Sequence, residues 1–130
     1  MTADDQSSRT PPSERSARPV VKLADLILSE GLAGGWRQAR LDPPDVSGKA
    51  MLLAELNGSW RPVMAFPAPV HRPLVNRLRL MAKLDRTGGL TDREGEIQLA
   101  AGGAAHRLRL AVRVEAGGAE VLTITFPVTG

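Results

Sequence analysis

Apolar residues along this chain recur with two different periods, and the change of period divides it into elements. Val20, Leu23 and Ile27, joined less regularly by Leu26 and Leu32, fall on one face at helical spacing. Pro19 can open such a helix and Gly34-Gly35 can stop it, which predicts a helix over residues 20–33. Leu74, Leu78 and Met81 form a second stripe of the same period. It lies in a segment that starts at Pro67, is most regular from Pro73 onward, and has Gly88 and Gly89 as its stop. On that helix Arg72, Asn76, Arg79 and Lys83 make a separate basic, polar stripe.

Elsewhere the period is two. Ala39 and Leu41 alternate with Trp36, Gln38 and Arg40 before Pro43 and Pro44 end a short strand. A hairpin is expected around Asn57-Gly58, with Pro62 placing its second arm at a sheet edge. Further on, Leu108, Leu110, Val112 and Val114 oppose Arg107, Arg109 and Arg113, and Leu122, Ile124 and Phe126 oppose Thr123 and Thr125. Glycine pairs at 102–103 and 117–118 separate these runs, so the C-terminal third reads as an antiparallel meander with one buried face. The expected class is α+β: a mostly antiparallel sheet with helices packed on one face. Residues 1–18 hold no apolar cluster and read as a disordered tail ahead of a domain over 19–128.

Composition narrows the chemistry. Aromatic residues are only 3% of the chain, so the core must be aliphatic. The absence of cysteine removes disulfides, thiolate metal sites and thiol nucleophiles. His71 and His106 are the only histidines, neither at metal-ligand spacing, so no metal site is expected. A net charge of +3 permits an anionic partner without requiring one. No apolar run reaches membrane-spanning length and no signal-peptide pattern opens the chain, so a cytoplasmic protein is expected. Gly48-Lys49 looks like the end of a phosphate-binding loop. But Pro43 stands where the first glycine belongs, and Ala50 replaces the magnesium-binding hydroxyl.

Several segments, taken in order, resemble one known family. "VVKLADLILSEGL", "WRQARLDP", "ELNG", "LVNRLRLMAKLD", "RTGGLTDREGEI" and "RLRLAV" are similar to the domain preceding the motor domain in type II secretion and type IV pilus assembly ATPases. The resemblance covers residues 19–126 and implies a PAS-like fold. It also implies that arginines in and after the second helix reach a nucleotide held by the motor domain. Arg77 and Arg79 match basic positions of that helix, whereas the family's paired arginines fall on Gly89 and Leu90, and only Gly95 of that turn is unchanged. The family's acidic and imidazole groups near the first strand are replaced by Trp36, Arg37, Gln38, Ala39 and Arg40. The P-loop motor domain and its tetracysteine zinc motif are missing from the chain, so it is not expected to be an enzyme.

The candidate nucleotide or partner contacts are therefore Arg77, Arg79, Lys83 and Arg109, and the candidate interface residues are Trp36 and Trp60. Against these stand plainer readings: a solvated helix face, charge pairing across strands, and core packing of the tryptophans. The expected role is a non-catalytic interaction or regulatory module that needs no cofactor. Its partner would be a secretion or pilus ATPase, another component of such a complex, or a second copy of itself. The alternative is a PAS-like module for a small ligand or signal, which the plain aliphatic core argues against. A nucleic-acid partner is disfavoured because the arginine-bearing meander offers no aromatic residue for stacking.

Overall fold

The computed structural model describes residues 12–84, 93–115 and 117–127, with side chains from residue 19 onward. In chain order the elements are helix α1 (Pro12–Gly34), strands β1 (Gln38–Leu41), β2 (Lys49–Leu56) and β3 (Ser59–Pro67), helix α2 (Ala68–Met81), and strands β4 (Arg93–Ala101), β5 (Ala104–Val114) and β6 (Glu120–Thr125). The six strands form one antiparallel sheet in the order β3-β2-β1-β6-β5-β4. Two three-stranded meanders are thus joined by β1 and β6, with Gln38 opposite Thr125 and Leu41 opposite Leu122. The α+β expectation holds.

Strand alternation decides what is buried. Ala39, Leu41, Leu52, Ala54, Ile97, Leu108, Leu110, Val112, Leu122 and Ile124 all point to one side. There they form a single core with Ala24, Ile27 and Leu28 of α1 and Leu74, Val75 and Leu78 of α2. Both helices therefore cover the same face of the sheet. The meander turns behave as their glycines require. Asn57 and Gly58 have φ of 53° and 83°, and Gly102 and Gly103 have 61° and 78°, the left-handed pairs that suit the twist of a two-residue hairpin.

The helices depart from the expected bounds. α1 begins at Pro12 rather than near Val20, so residues 12–18 are helical in backbone and not tail, and Pro19 lies inside the helix. Proline removes one amide donor, which leaves a gap in the hydrogen-bond ladder without ending it. The buried stripe of α1 runs through Ala24, Ile27, Leu28 and Gly31, while Leu26 is half exposed. α2 starts at Ala68, with Pro67 as cap and Pro73 inside. Pro73 has no amide to donate to the Pro69 carbonyl, so the start of α2 lacks one rung of its hydrogen-bond ladder. α2 stops at Met81 through a left-handed Lys83 (φ 60°), with the Leu84 amide donating to the Arg79 carbonyl at 2.9 Å. The expected stop at Gly88-Gly89 and the expected tail over residues 1–11 lie outside the described residues.

Two glycines mark close approaches. Gly31 lies against the ring of Phe126, which leaves no room for a side chain. Gly95 faces the core from β4, and a Cβ there would stand 2.5 Å from the Ala82 carbonyl oxygen. The end of α2 therefore rests directly on the β4 backbone. The two sheet edges also differ. β3 carries Pro62 and a register break opposite Leu52 and Leu53, whereas β4 pairs continuously with β5 from Arg93 to Ala101. Replacing Gly95 by alanine should destabilise the fold by about 1–3 kcal/mol, the usual cost of overpacking against backbone. Urea unfolding checks this, and an unchanged midpoint would mean that α2 does not sit on β4.

Candidate interaction surface

The face of the sheet turned away from the helices is uncovered among the described residues. Cross-strand register orders its side chains. Trp60, Glu55, Gln38, Thr125, Arg109 and Glu96 stand in one row across all six strands. Pro62, Leu53, Arg40, Thr123, Ala111 and Glu94 form the next row. The β2–β3 arm of this face is mostly apolar: Met51 and Trp60 are 36% and 40% exposed, Leu53, Pro62 and Ala65 lie beside them, and Glu55 stands opposite Trp60. The β5 side carries Arg107, Arg109 and Arg113.

Between the two halves runs a groove of about 580 Å³. Trp60, Gln38 and Thr123 line it together with two basic residues, Arg40 and Arg113, and two acidic ones, Asp42 and Glu115. The Arg40 guanidinium lies 5.3 Å from the centre of the Trp60 ring, an attractive cation–π arrangement. The same guanidinium donates to the Asp42 carboxylate at 2.8 and 3.3 Å. Arg40 is thereby held in place and Trp60 is oriented. Arg107, Arg109 and Arg113 make no ion pair among the described residues. Among the described residues these arginines do not show the expected charge pairing across strands, although Arg109 is directly opposite Glu96. The stacking residue thought missing from the arginine face is also present: Trp60 arrives from β3, far away in sequence.

The structure does not bring the candidate residues together. Trp36 is 9% exposed and packs edge-on to Phe126 with ring centres 6.0 Å apart, so it belongs to the core and is no interface residue. Its inward turn comes from the bend before β1, which breaks the alternation that would have placed it with Gln38 and Arg40. Arg79 is 6% exposed and paired with Glu120 of β6, so it is not free to meet a nucleotide. Arg77 is half-buried on α2, and Lys83 is exposed just past its end. These three lie on the helix side of the sheet, whereas Arg109 and Trp60 lie on the other. Sequence reasoning passed over Arg40 as an organising residue, although Arg40 and Asp42, two apart in an extended segment, already pointed the same way.

A second cleft, of about 320 Å³, opens between α2 and the start of β6, lined by His71, Arg72, Asn76 and Glu120. His71 Nε2 is buried there without a hydrogen-bond partner. Burial holds the His71 pKa below the usual 6.5, the nearby Arg72 lowers it further, and Glu120 works the other way. Gly48-Lys49 sits in a turn held by Asp45, whose carboxylate accepts from the Ser47 and Lys49 amides at 2.9 and 3.2 Å. The chain then enters β2 rather than a helix, so no phosphate-binding loop forms there. Among the described residues no cluster of acidic, His or Cys side chains could hold a metal ion, and no helix is long and apolar enough to cross a membrane. No protein-family model matches the chain, and no curated protein matches it in sequence.

Removing Arg79 takes that guanidinium from the half-buried Glu120 carboxylate, which then has only the partly solvated cleft with His71, Arg72 and Asn76 around it. Arg79→Met should cost about 2 kcal/mol, below the range for a fully buried pair because Glu120 retains some solvent. In a double-mutant cycle with Glu120→Leu the losses should be less than additive. Additive losses would show that the pair contributes nothing. His71 gives a pH prediction. With a folded pKa below the unfolded one, its contribution is complete above pH 6.5 and declines as pH falls below it. Melting curves between pH 8 and 5 should show that decline, and His71→Leu should reduce it.

Proposed function

We propose that this chain is a non-catalytic, cytoplasmic interaction module, related to the domain that precedes the motor in secretion and pilus assembly ATPases. It acts by binding a protein component of such an assembly. The observation that carries the reading is the sheet face turned away from the helices, where, among the described residues, Trp60 beside Arg40, a mostly apolar arm and arginines without an ion pair stand uncovered. Exposed tryptophan and arginine are the residues most enriched where protein interfaces gain their affinity. The ordered series of family-like segments supports the secretion or pilus setting. The pairing of Arg79 with Glu120 shifts the weight away from nucleotide contact through α2 and toward this face.

The alternative of a ligand held in the core is not favoured. Ile27, Leu28, Leu41, Leu52, Leu74, Leu78 and Leu110 fill that space at 0–1% exposure. They offer no polar group to orient a small molecule.

The test is affinity capture with the purified full chain against reconstituted components of a type II secretion and a type IV pilus system. The expected result is saturable binding of one component, which Trp60→Ala weakens and Arg77→Ala leaves intact, with no ATP hydrolysis by the chain alone. Binding to none of them, or ATP turnover by the isolated chain, would overturn the proposal.

A further inference from the structure

We propose that Asn57 is a self-modification site, at which the Gly58 amide nitrogen attacks the Asn57 side chain and converts it to aspartate and isoaspartate. The proposal goes beyond the reading of the open face and does not depend on what that face binds.

The reaction needs only the chain and water. The deprotonated Gly58 nitrogen bonds to Cγ of Asn57, the Cγ–Nδ2 bond breaks, and Nδ2 leaves as ammonia with a proton taken from solvent. Water opens the five-membered succinimide that remains by adding to one of its two carbonyls. Breaking the bond from Cγ to the ring nitrogen gives aspartate. Breaking the bond from that nitrogen to the main-chain carbonyl carbon gives isoaspartate, whose backbone runs through Cβ and Cγ. In both cases the nitrogen regains its proton. One amide and one water enter, one acid and one ammonia leave, and nothing is oxidised or reduced.

Three observations carry the proposal. The first is the order of residues. Asn57 and Asn76 are the two asparagines of the chain, and only Asn57 precedes a glycine, whose missing side chain leaves the attacking nitrogen unhindered. The second is access. Asn57 and Gly58 are exposed, and among the described residues neither the Asn57 side chain nor the Gly58 amide is hydrogen-bonded. A Cβ at Gly58 would meet nothing within 4 Å. The third is torsion. Ring closure brings the Gly58 nitrogen into line with Cβ of Asn57. That sets ψ of Asn57 at about −120°, the value of the first central residue of a type II′ turn. Asn57 already has the φ of that position, 53°, so one peptide plane separates the present turn from the reactive one. Rotating that plane carries Gly58 from φ 83° to a negative φ, which glycine accepts equally well. Both turn types suit a two-residue hairpin, so Leu56 and Ser59 stay paired while the ring closes.

Asn76 has none of these advantages. It is half-buried in α2, and the Arg77 amide that follows it lies within the helical hydrogen-bond ladder. The product at Asn57 is also accommodated, because Arg37 lines the same hollow of about 290 Å³ as Asn57 and Gly58.

The experiment incubates the folded full chain at pH 7 and pH 9, beside a peptide of residues 54–61. Mass spectrometry of proteolytic fragments locates each amide converted to acid, and isoaspartyl methyltransferase labelling counts isoaspartate. Acid should accumulate at Asn57 in the folded chain, with isoaspartate among the products, ammonium released in equal amount, and a faster rate at pH 9. Asn76 should convert at least about ten-fold more slowly, since its helix must open first. This comparison within one unaltered chain does not depend on any variant folding correctly. Gly58→Ala should slow conversion at position 57 by a similar factor. An intact Asn57 after the free peptide has been consumed, equal rates at Asn57 and Asn76, or aspartate formed without isoaspartate would overturn the proposal.

Discussion

The pairing of β1 with β6 is the contact on which the molecule depends. β1 is only four residues long, yet it is hydrogen-bonded on both sides. It joins an N-terminal meander to a C-terminal one and fixes their register, with Ala39 beside Ile124 and Leu41 beside Leu122 on the core side. Just beyond it the Arg37 amide donates to the Glu55 carbonyl and the Phe126 amide to the Arg37 carbonyl, both near 3 Å. The Trp36–Phe126 contact closes that end of the sheet, and Gly31 makes room for the ring. A shift of one residue in this pairing would turn the inward residues of half the sheet toward water.

Once that register is set, the character of both faces follows. The inward side takes most of the aliphatic residues the strands offer and covers them with two helices. The outward side receives what remains: threonines, arginines, glutamates and a small apolar group around Trp60. Arg40 links these parts, bonded to Asp42 and stacked on Trp60, a contact that favours one orientation of the ring. An anchor held in this way loses less freedom on binding.

Much of the fold was legible in the sequence because its signals are local. Alternation in "HRLRLAVRV" marks a strand with one buried face, and Asn57-Gly58 or Gly102-Gly103 can adopt left-handed turns at little cost. Pro62 correctly marked an edge. What could not be read is where distant segments meet. Nothing near Arg79 announces Glu120, because a basic residue at helical spacing looks the same whether it meets water or a carboxylate forty-one positions away. Trp60 and Arg113 belong to different meanders, and only the β1–β6 junction places them on one groove. Strict alternation places Trp36 outward, but a bend lies before the strand begins, and of its two readings core packing is the one the structure shows.

The unequal edges of the sheet limit how copies of this chain could grow into larger arrays. Lateral growth without end requires two competent sides on every subunit, and β3, with its proline and broken register, is not one of them. Among the described residues β4 is the regular border of the sheet, and two molecules joined along it would leave an irregular strand at each extremity. Strand-by-strand stacking through β3 is therefore disfavoured by the irregular hydrogen-bonding edge it would have to use.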